Sequence, residues 1–169
     1  MQEIEIEKIV LNCGGVAEKL EKSFRLLELI TGRKPQKIKS RKRIPTFNLR
    51  PGLECGCMVT LRKNYAKEIL KKLFSAVENK ILEKSIQTNC VSFGIEEYIT
   101  IPGMEYKREI GMLGLDIAIA FKRKGKRVKI RKIKRGKYPK KQNVTKNEII
   151  EYLTKNFGVE IEQNDSKRL

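Results

Sequence analysis

The sequence predicts an α+β fold: a mainly antiparallel sheet with helices packed on one face and the other face left open. Three observations over its 169 residues support this. Apolar residues alternate with period two in several short stretches, and others recur at helical spacing in three longer ones. The two kinds do not follow one another in the strict succession that parallel βαβ units require. A chain of this length with 40% hydrophobic residues can bury one core, so residues 1–162 are read as a single domain and residues 163–169 as a frayed tail.

Ile4 to Asn12 alternates as a strand, with Ile4, Ile6 and Lys8 on one face and Ile9 and Leu11 on the other. Asn12-Cys13-Gly14-Gly15 is expected to break it. Val16, Leu20, Phe24, Leu27 and Ile30 then mark an amphipathic helix that Gly32 stops. From Lys34 to Arg50 the chain is basic and interrupted by Pro35 and Pro45; with the strand Glu54 to Arg62 it reads as a hairpin, Asn48-Leu49-Arg50-Pro51-Gly52 near its tip. Cys55 and Cys57, two apart in that strand, share a face and are expected as buried free thiols. Tyr65, Ile69, Leu73, Val77 and Ile81 form the stripe of a second helix capped by Asn64. Val91, Phe93, Ile95, Ile99 and Ile101 alternate through a strand interrupted at Glu97. Pro102 to Gly114 is a loop, and Leu115, Ile117, Ile119 and Phe121 alternate again. Thr145-Lys146-Asn147-Glu148 is a capping box that opens a third helix, 145–157, ended by Gly158.

Charge bounds the function. Lys and Arg outnumber Asp and Glu by 38 to 20, and between Lys122 and Lys141 13 of 20 residues are basic and none acidic. An excess of this size suits a dense polyanion, and nucleic acid is the leading partner. A basic run taken alone is most often a solvated face. Here Val128, Ile130 and Ile133 interleave the charges and Gly125 and Gly136 bracket them, so 122–142 is expected as an ordered basic strand or arm.

Other classes are disfavoured. The chain has no histidine, no nucleotide-cradling glycine motif, and its nearest acid pair, Glu96 and Glu97, points to opposite strand faces, so no enzyme is expected. Gly14-Gly15 reads as a tight turn. Its four cysteines form no C-x-x-C pair, so neither metal nor cofactor is expected. The longest apolar runs fall short of the roughly 18 residues that span a bilayer, and the acidic alternating N-terminus is unlike a signal peptide; an intracellular, soluble protein without a membrane partner is expected.

Several stretches carry a resemblance in their order and spacing: Lys8-Ile9-Val10-Leu11-Asn12, Thr31-Gly32-Arg33-Lys34-Pro35, Lys39-Ser40-Arg41 and Phe47-Asn48-Leu49-Arg50. Val59-Thr60-Leu61-Arg62, Phe93-Gly94-Ile95-Glu96-Glu97 and Gly114-Leu115-Asp116 follow. Over almost its whole length the chain resembles the universal large-subunit ribosomal protein family that binds 5S rRNA, called L-five in bacteria and L-eleven in eukaryotes. The missing long N-terminal helix and the capped helix 145–157 look like the archaeal and eukaryotic branch. The resemblance implies an architectural role in the central protuberance, with 5S rRNA lying on the open sheet face. It implies RNA contact at Asn12, Phe47 and Thr60, with Arg33, Lys39, Arg41, Lys42, Arg43 and Arg62 supplying positioning charge. An Asn amide both donates and accepts, a Thr hydroxyl meets a phosphate or 2′-OH, and Phe stacks on an unpaired base.

The loop Asn48, Leu49, Arg50, Pro51, Gly52 resembles the family's loop toward the peptidyl-site tRNA, with Arg50 as its phosphate-seeking residue. Arg123, Lys126, Arg127 and Lys129, then Arg131, Lys132, Lys134 and Arg135, are expected to add contacts to large-subunit rRNA. Further implied partners are the other 5S-binding protein and a small-subunit head protein across the subunit bridge. The implied location is the cytoplasmic ribosome, with nucleolar assembly if the source is eukaryotic. The shortened turn Cys13-Gly14-Gly15-Val16 and Arg33, where bacterial relatives often carry Gln, depart from the family pattern. The rival expectation is a nonspecific RNA-binding chaperone acting through the basic arm.

Overall fold

The computed structural model describes residues 3–162, so the tail 163–169 lies outside the described residues. Its strands are β1 (Ile4–Gly14), β2 (Gln36–Lys39), β3 (Glu54–Leu61), β4 (Lys80–Leu82), β5 (Ile86–Gln87), β6 (Cys90–Ile95), β7 (Leu115–Arg123) and β8 (Glu160–Glu162). Its helices are α1 (Glu18–Thr31), α2 (Lys63–Ala76), α3 (Arg127–Ile130) and α4 (Lys146–Phe157). Six strands form a sheet in the order β2-β3-β1-β7-β6-β5, mainly antiparallel, and β4 pairs in parallel with β8. The expected α+β class is therefore what the chain adopts. The chain divides into two compact units: one of Met1–Ile9, Arg62–Phe93 and Ala118–Leu169, the other of Val10–Leu61 and Gly94–Ile117.

In the second unit, alternation decides which side chains are buried. Leu11 and Cys13 of β1, and Cys57, Val59 and Leu61 of β3, are buried, whereas Val10, Asn12, Met58 and Thr60 project the other way and are half-buried. β1 does not break at Asn12. It runs to Gly14, because Gly56 of β3 lets the Cys13 carbonyl approach to within 3.1 Å of where a Cβ would stand. α1 packs against β3 and begins at Glu18, leaving Val16 exposed. Its inner face includes Ser23 and Thr31, whose hydroxyls donate to the carbonyls of Lys19 (2.8 Å) and Leu27 (2.6 Å). Those bonds let two polar residues replace part of the expected stripe, leaving Phe24 and Ile30 half-buried. Gly32 closes the helix in the left-handed region at φ 55°.

β6 stops at Ile95, and the expected continuation through Ile99 and Ile101 is instead a 3₁₀ turn over Tyr98–Thr100 that buries Tyr98 and Ile101. The Tyr98 hydroxyl accepts the Lys107 N–H at 2.9 Å and so moors the 102–114 loop. Glu96 and Glu97 both lie exposed.

In the first unit, α2 begins after Arg62, whose backbone is extended, and no side chain caps it; the expected Asn64 cap is not made. The helix ends at Ala76 because Glu78 (φ 54°) and Asn79 (φ 57°) turn left-handed. Ile81, expected on the helical stripe, is buried in β4 instead. Phe74 of α2 stacks on Phe93 with centroids 5.4 Å apart and meets Phe157 of α4 edge-on at 5.3 Å; Tyr152 of α4 meets Phe121 of β7 edge-on at 5.7 Å. α4 matches its expected bounds. Thr145 and Glu148 complete the capping box, and Gly158 ends the helix at φ 65°. Asn89 ties this unit together: its N–H and side-chain oxygen bond Val144 (3.1 and 2.7 Å), and its carbonyl accepts the Phe121 N–H at 2.8 Å.

Candidate nucleic-acid interface

In the second unit β2 and β3 form the expected hairpin, with Gln36 opposite Met58 and Ile38 opposite Gly56. Beyond a bulge at Ile38/Lys39, Ser40 N–H donates to Leu53 and Gly52 N–H to Ser40, closing the arms. The apex is a smaller turn within the loop. Ile44 and Leu49 exchange two backbone bonds (2.9 and 3.1 Å) around the 3₁₀ turn Pro45–Phe47, and Asn48 adopts φ 53°. Asn tolerates that conformation better than most residues. Arg50 to Leu53 forms a second turn, with Gly52 at φ 86°.

This double turn closes the apex with backbone bonds and leaves the Phe47 side chain facing outward. Phe47 is 69% exposed, so its ring packs in no core. Around it Arg41, Lys42, Arg43 and Arg50 are all exposed, and among the described residues none of them is paired with a carboxylate. A bare ring among unneutralised cations suits a stacked base flanked by phosphates.

Asn12 and Thr60 lie on the side of β1 and β3 that faces away from the buried positions, and these strands are neighbours in the sheet. The Asn12 side-chain oxygen is buried and, among the described residues, has no hydrogen-bond partner. A buried acceptor left unmet costs roughly 1–3 kcal/mol, which a donor from a ligand would recover. Lys39 is placed differently. It lines a groove with Lys37, Glu54, Glu18 and Glu21 at the start of α1, where Lys37 pairs with Glu54 at 3.0 Å. Arg33 is exposed just beyond the end of α1.

The thiols of this unit are buried or half-buried and free. Burial pushes Cys13 up to about 12, helped by Cys57 and Asp116, and pushes Cys57 up to about 11. They are packing groups, not nucleophiles. Cys57 is buried as expected, while Cys55 is only half-buried, its thiol toward the Ile38 carbonyl.

In the first unit Arg62 is exposed at the start of α2. The basic segment keeps strand geometry only as far as Arg123. Gly125 turns at φ 100°, α3 makes one helical turn, and Gly136 N–H returns to the Val128 carbonyl at 3.1 Å, so residues 125–136 fold back into a knob. The expected continuation of the strand beyond Arg123 does not form, and Val128, Ile130 and Ile133 remain exposed. The root of the knob is neutralised: Arg123 pairs with Glu148 (2.5 Å), Lys124 with Glu3 and Glu5, and Lys126 with Glu7 (2.5 Å). Arg127, Lys129, Arg131, Lys132, Lys134 and Arg135, further out, are exposed and make no such pair among the described residues. Lys124 has no assigned role in the sequence pattern. The signal for its partner is the period-two run Glu3, Glu5, Glu7, which places three carboxylates on one side of a strand.

Among the described residues no His, Cys, Asp or Glu cluster is arranged to hold a metal, and no helix is long and apolar enough to cross a membrane.

Residues 1–50 match the family model described as "Ribosomal protein L5", and residues 54–157 match the model of the ribosomal L5 family C-terminus. The chain belongs to the ribosomal protein L5 family. Its similarity to archaeal L5 proteins, each named "Large ribosomal subunit protein uL5", extends nearly end to end. The protein of Nanoarchaeum equitans is 44% identical over 95% of this chain and 97% of the relative. That of Picrophilus torridus is 42% identical over 95% and 94%, and that of Pyrobaculum aerophilum 39% over 96% and 92%. As an L5 protein of the archaeal branch, the chain is a structural, non-enzymatic component of the large ribosomal subunit and associates with rRNA.

Proposed function

We propose that the protein binds 5S rRNA in the central protuberance and reaches the peptidyl-site tRNA with the tip of its β2–β3 hairpin. The observation that carries this reading is the apex itself: an exposed Phe47 held by a double turn among four cations with no carboxylate partner among the described residues. The unmet acceptor of Asn12 adds a chemical requirement, a donor such as a 2′-OH or a base amine, which a phosphate cannot supply. Thr60, on the neighbouring strand β3, offers a hydroxyl to the same RNA, and Arg50 carries the tRNA contact. The outer residues of the 125–136 knob meet large-subunit rRNA. The remaining partners are the other 5S-binding protein and a small-subunit head protein, all within cytoplasmic ribosomes.

The test is competition for labelled 5S rRNA by tRNA and by a scrambled RNA of equal length at physiological salt. Retention of 5S rRNA while both competitors fail supports the reading. Equal displacement by all would favour the nonspecific chaperone instead. Replacing Asn12 and Thr60 together by Ala weakens 5S binding by about 1–3 kcal/mol on this reading, and unchanged affinity refutes their role. Arg50→Ala leaves 5S binding intact and disturbs tRNA accommodation in assembled ribosomes.

A further inference from the structure

The charge of the basic segment is graded. At its root, Arg123, Lys124 and Lys126 face carboxylates; at its outer end, from Arg127 to Lys141, no carboxylate faces the cations among the described residues. Two of the three root partnerships come from one short acidic stretch, Glu3, Glu5 and Glu7, at and just before the start of β1. They differ in depth. Lys126 and Glu7 are 26% and 22% exposed, so their attraction is little screened, whereas Lys124 is 52% exposed and is shared between Glu3 and Glu5. A lysine already held by a carboxylate releases no counterion when RNA arrives, because it must first give up its partner.

We infer that Glu3, Glu5 and Glu7 are specificity-determining residues: they occupy Lys124 and Lys126 and withhold them from RNA phosphates. Within the basic segment this confines phosphate contact to the outer knob, and it lowers affinity for unrelated RNA. The inference rests on the RNA-binding reading above and adds to it which cations are available. It accounts for an acidic strand in a chain of net charge +18, where an unopposed basic segment would bind any polyanion.

The experiment measures binding to 5S rRNA and to an unrelated duplex RNA across a salt series. It uses the parent, Glu3→Gln/Glu5→Gln/Glu7→Gln, Lys124→Gln/Lys126→Gln, and the combination of all five. Releasing two lysines steepens the log–log salt dependence by about 1.4–1.8 and raises affinity for the unrelated duplex roughly tenfold near 100 mM salt. Affinity for 5S rRNA rises less, so discrimination falls. In the parent, Lys124→Gln/Lys126→Gln leaves the slope unchanged; in the glutamine background the same pair restores the parental slope. An unchanged slope in the triple variant overturns the inference.

Melting checks that the triple variant folds. If it does not, the comparison within the parent decides, with Arg131→Gln/Lys132→Gln as the outer-knob control. A loss from Lys124→Gln/Lys126→Gln equal to that control overturns the inference, and no loss supports it. A parent that binds neither RNA overturns the function proposed above, which separates that failure from this one.

Discussion

The hairpin apex and the knob after β7 are both dense in lysine and arginine, yet they present that charge differently. At the apex, backbone bonds and the Ser40 hydroxyl, which donates to the Lys42 carbonyl, fix the geometry, and among the described residues Arg41, Lys42, Arg43 and Arg50 have no carboxylate partner beside an exposed ring. At the root of the knob Arg123, Lys124 and Lys126 are held by Glu148 of α4 and by Glu3, Glu5 and Glu7 at the start of the chain, and among the described residues the outer cations have no such partner. Charge density in a sequence therefore does not measure the charge available to a partner. What decides is whether a carboxylate on another element comes within reach.

Five substitutions sharpen that contrast. The largest effect is expected at Leu153→Ala, which removes a fully buried side chain from α4, the helix that holds Glu148 toward Arg123; thermal or denaturant unfolding should show a loss of about 2–5 kcal/mol. Phe47→Ala should do the opposite, leaving stability within about 0.5 kcal/mol because the ring is exposed, while weakening RNA binding by about 1–3 kcal/mol. A stability loss at Phe47 as large as that at Leu153 would erase the distinction between the two regions.

Thr145→Ala should lower stability by about 1 kcal/mol through loss of the cap, again read by unfolding. It also bears on pH. The Glu148 carboxyl is held below the usual range, first by the Thr145 backbone N–H and then, against burial, by Arg123 and the Thr145 side chain. A carboxylate with a lowered pKa stabilises the fold above its ordinary unfolded range, and that contribution is lost as pH falls through the lowered value. Acid titration of the melting temperature should show a smaller drop in Glu148→Gln than in the parent. The smallest effect is expected at Gly136→Ala: its Cβ would stand 2.6 Å from a methyl of Val128, a stiff side chain, so the knob should loosen. Limited proteolysis within 125–136 should quicken while the melting temperature holds.

Sequence and structure agree where a local signal is strong. Thr145, Glu148 and Gly158 give the bounds of α4 because caps act through neighbours in the chain. Leu115 to Phe121 gives β7 because the alternation is long enough to register. β4, β5 and β8, with two or three residues each, carry too little period to be seen. Ile81 continued a helical spacing by coincidence, and the left-handed turn at Glu78-Asn79 that breaks it has no strong composition signal beyond Asn79. Val128, Ile130 and Ile133 suggested a strand in the basic segment; the left-handed turn at Gly125 leads into a helical turn, and none of the three finds an apolar surface to cover it. At the candidate site, residue types were legible, since Phe47 and Arg50 stand at the apex and on its returning arm. The ion pairs of Lys124 and Lys126 were not, because they join positions about 120 residues apart in sequence, and loop closure over such distances leaves no local trace.

The three bonds made by Asn89 have a consequence for how this protein can change over generations. Phe121 and Val144 are both fastened to the same residue, so the stretch between them leaves and re-enters the body at neighbouring points. It behaves as an insert on a closed frame. Each doubling of such a loop costs only about 0.6 kcal/mol, so the insert can be lengthened, trimmed or recharged to follow a changing RNA while the frame that carries it stays as it is.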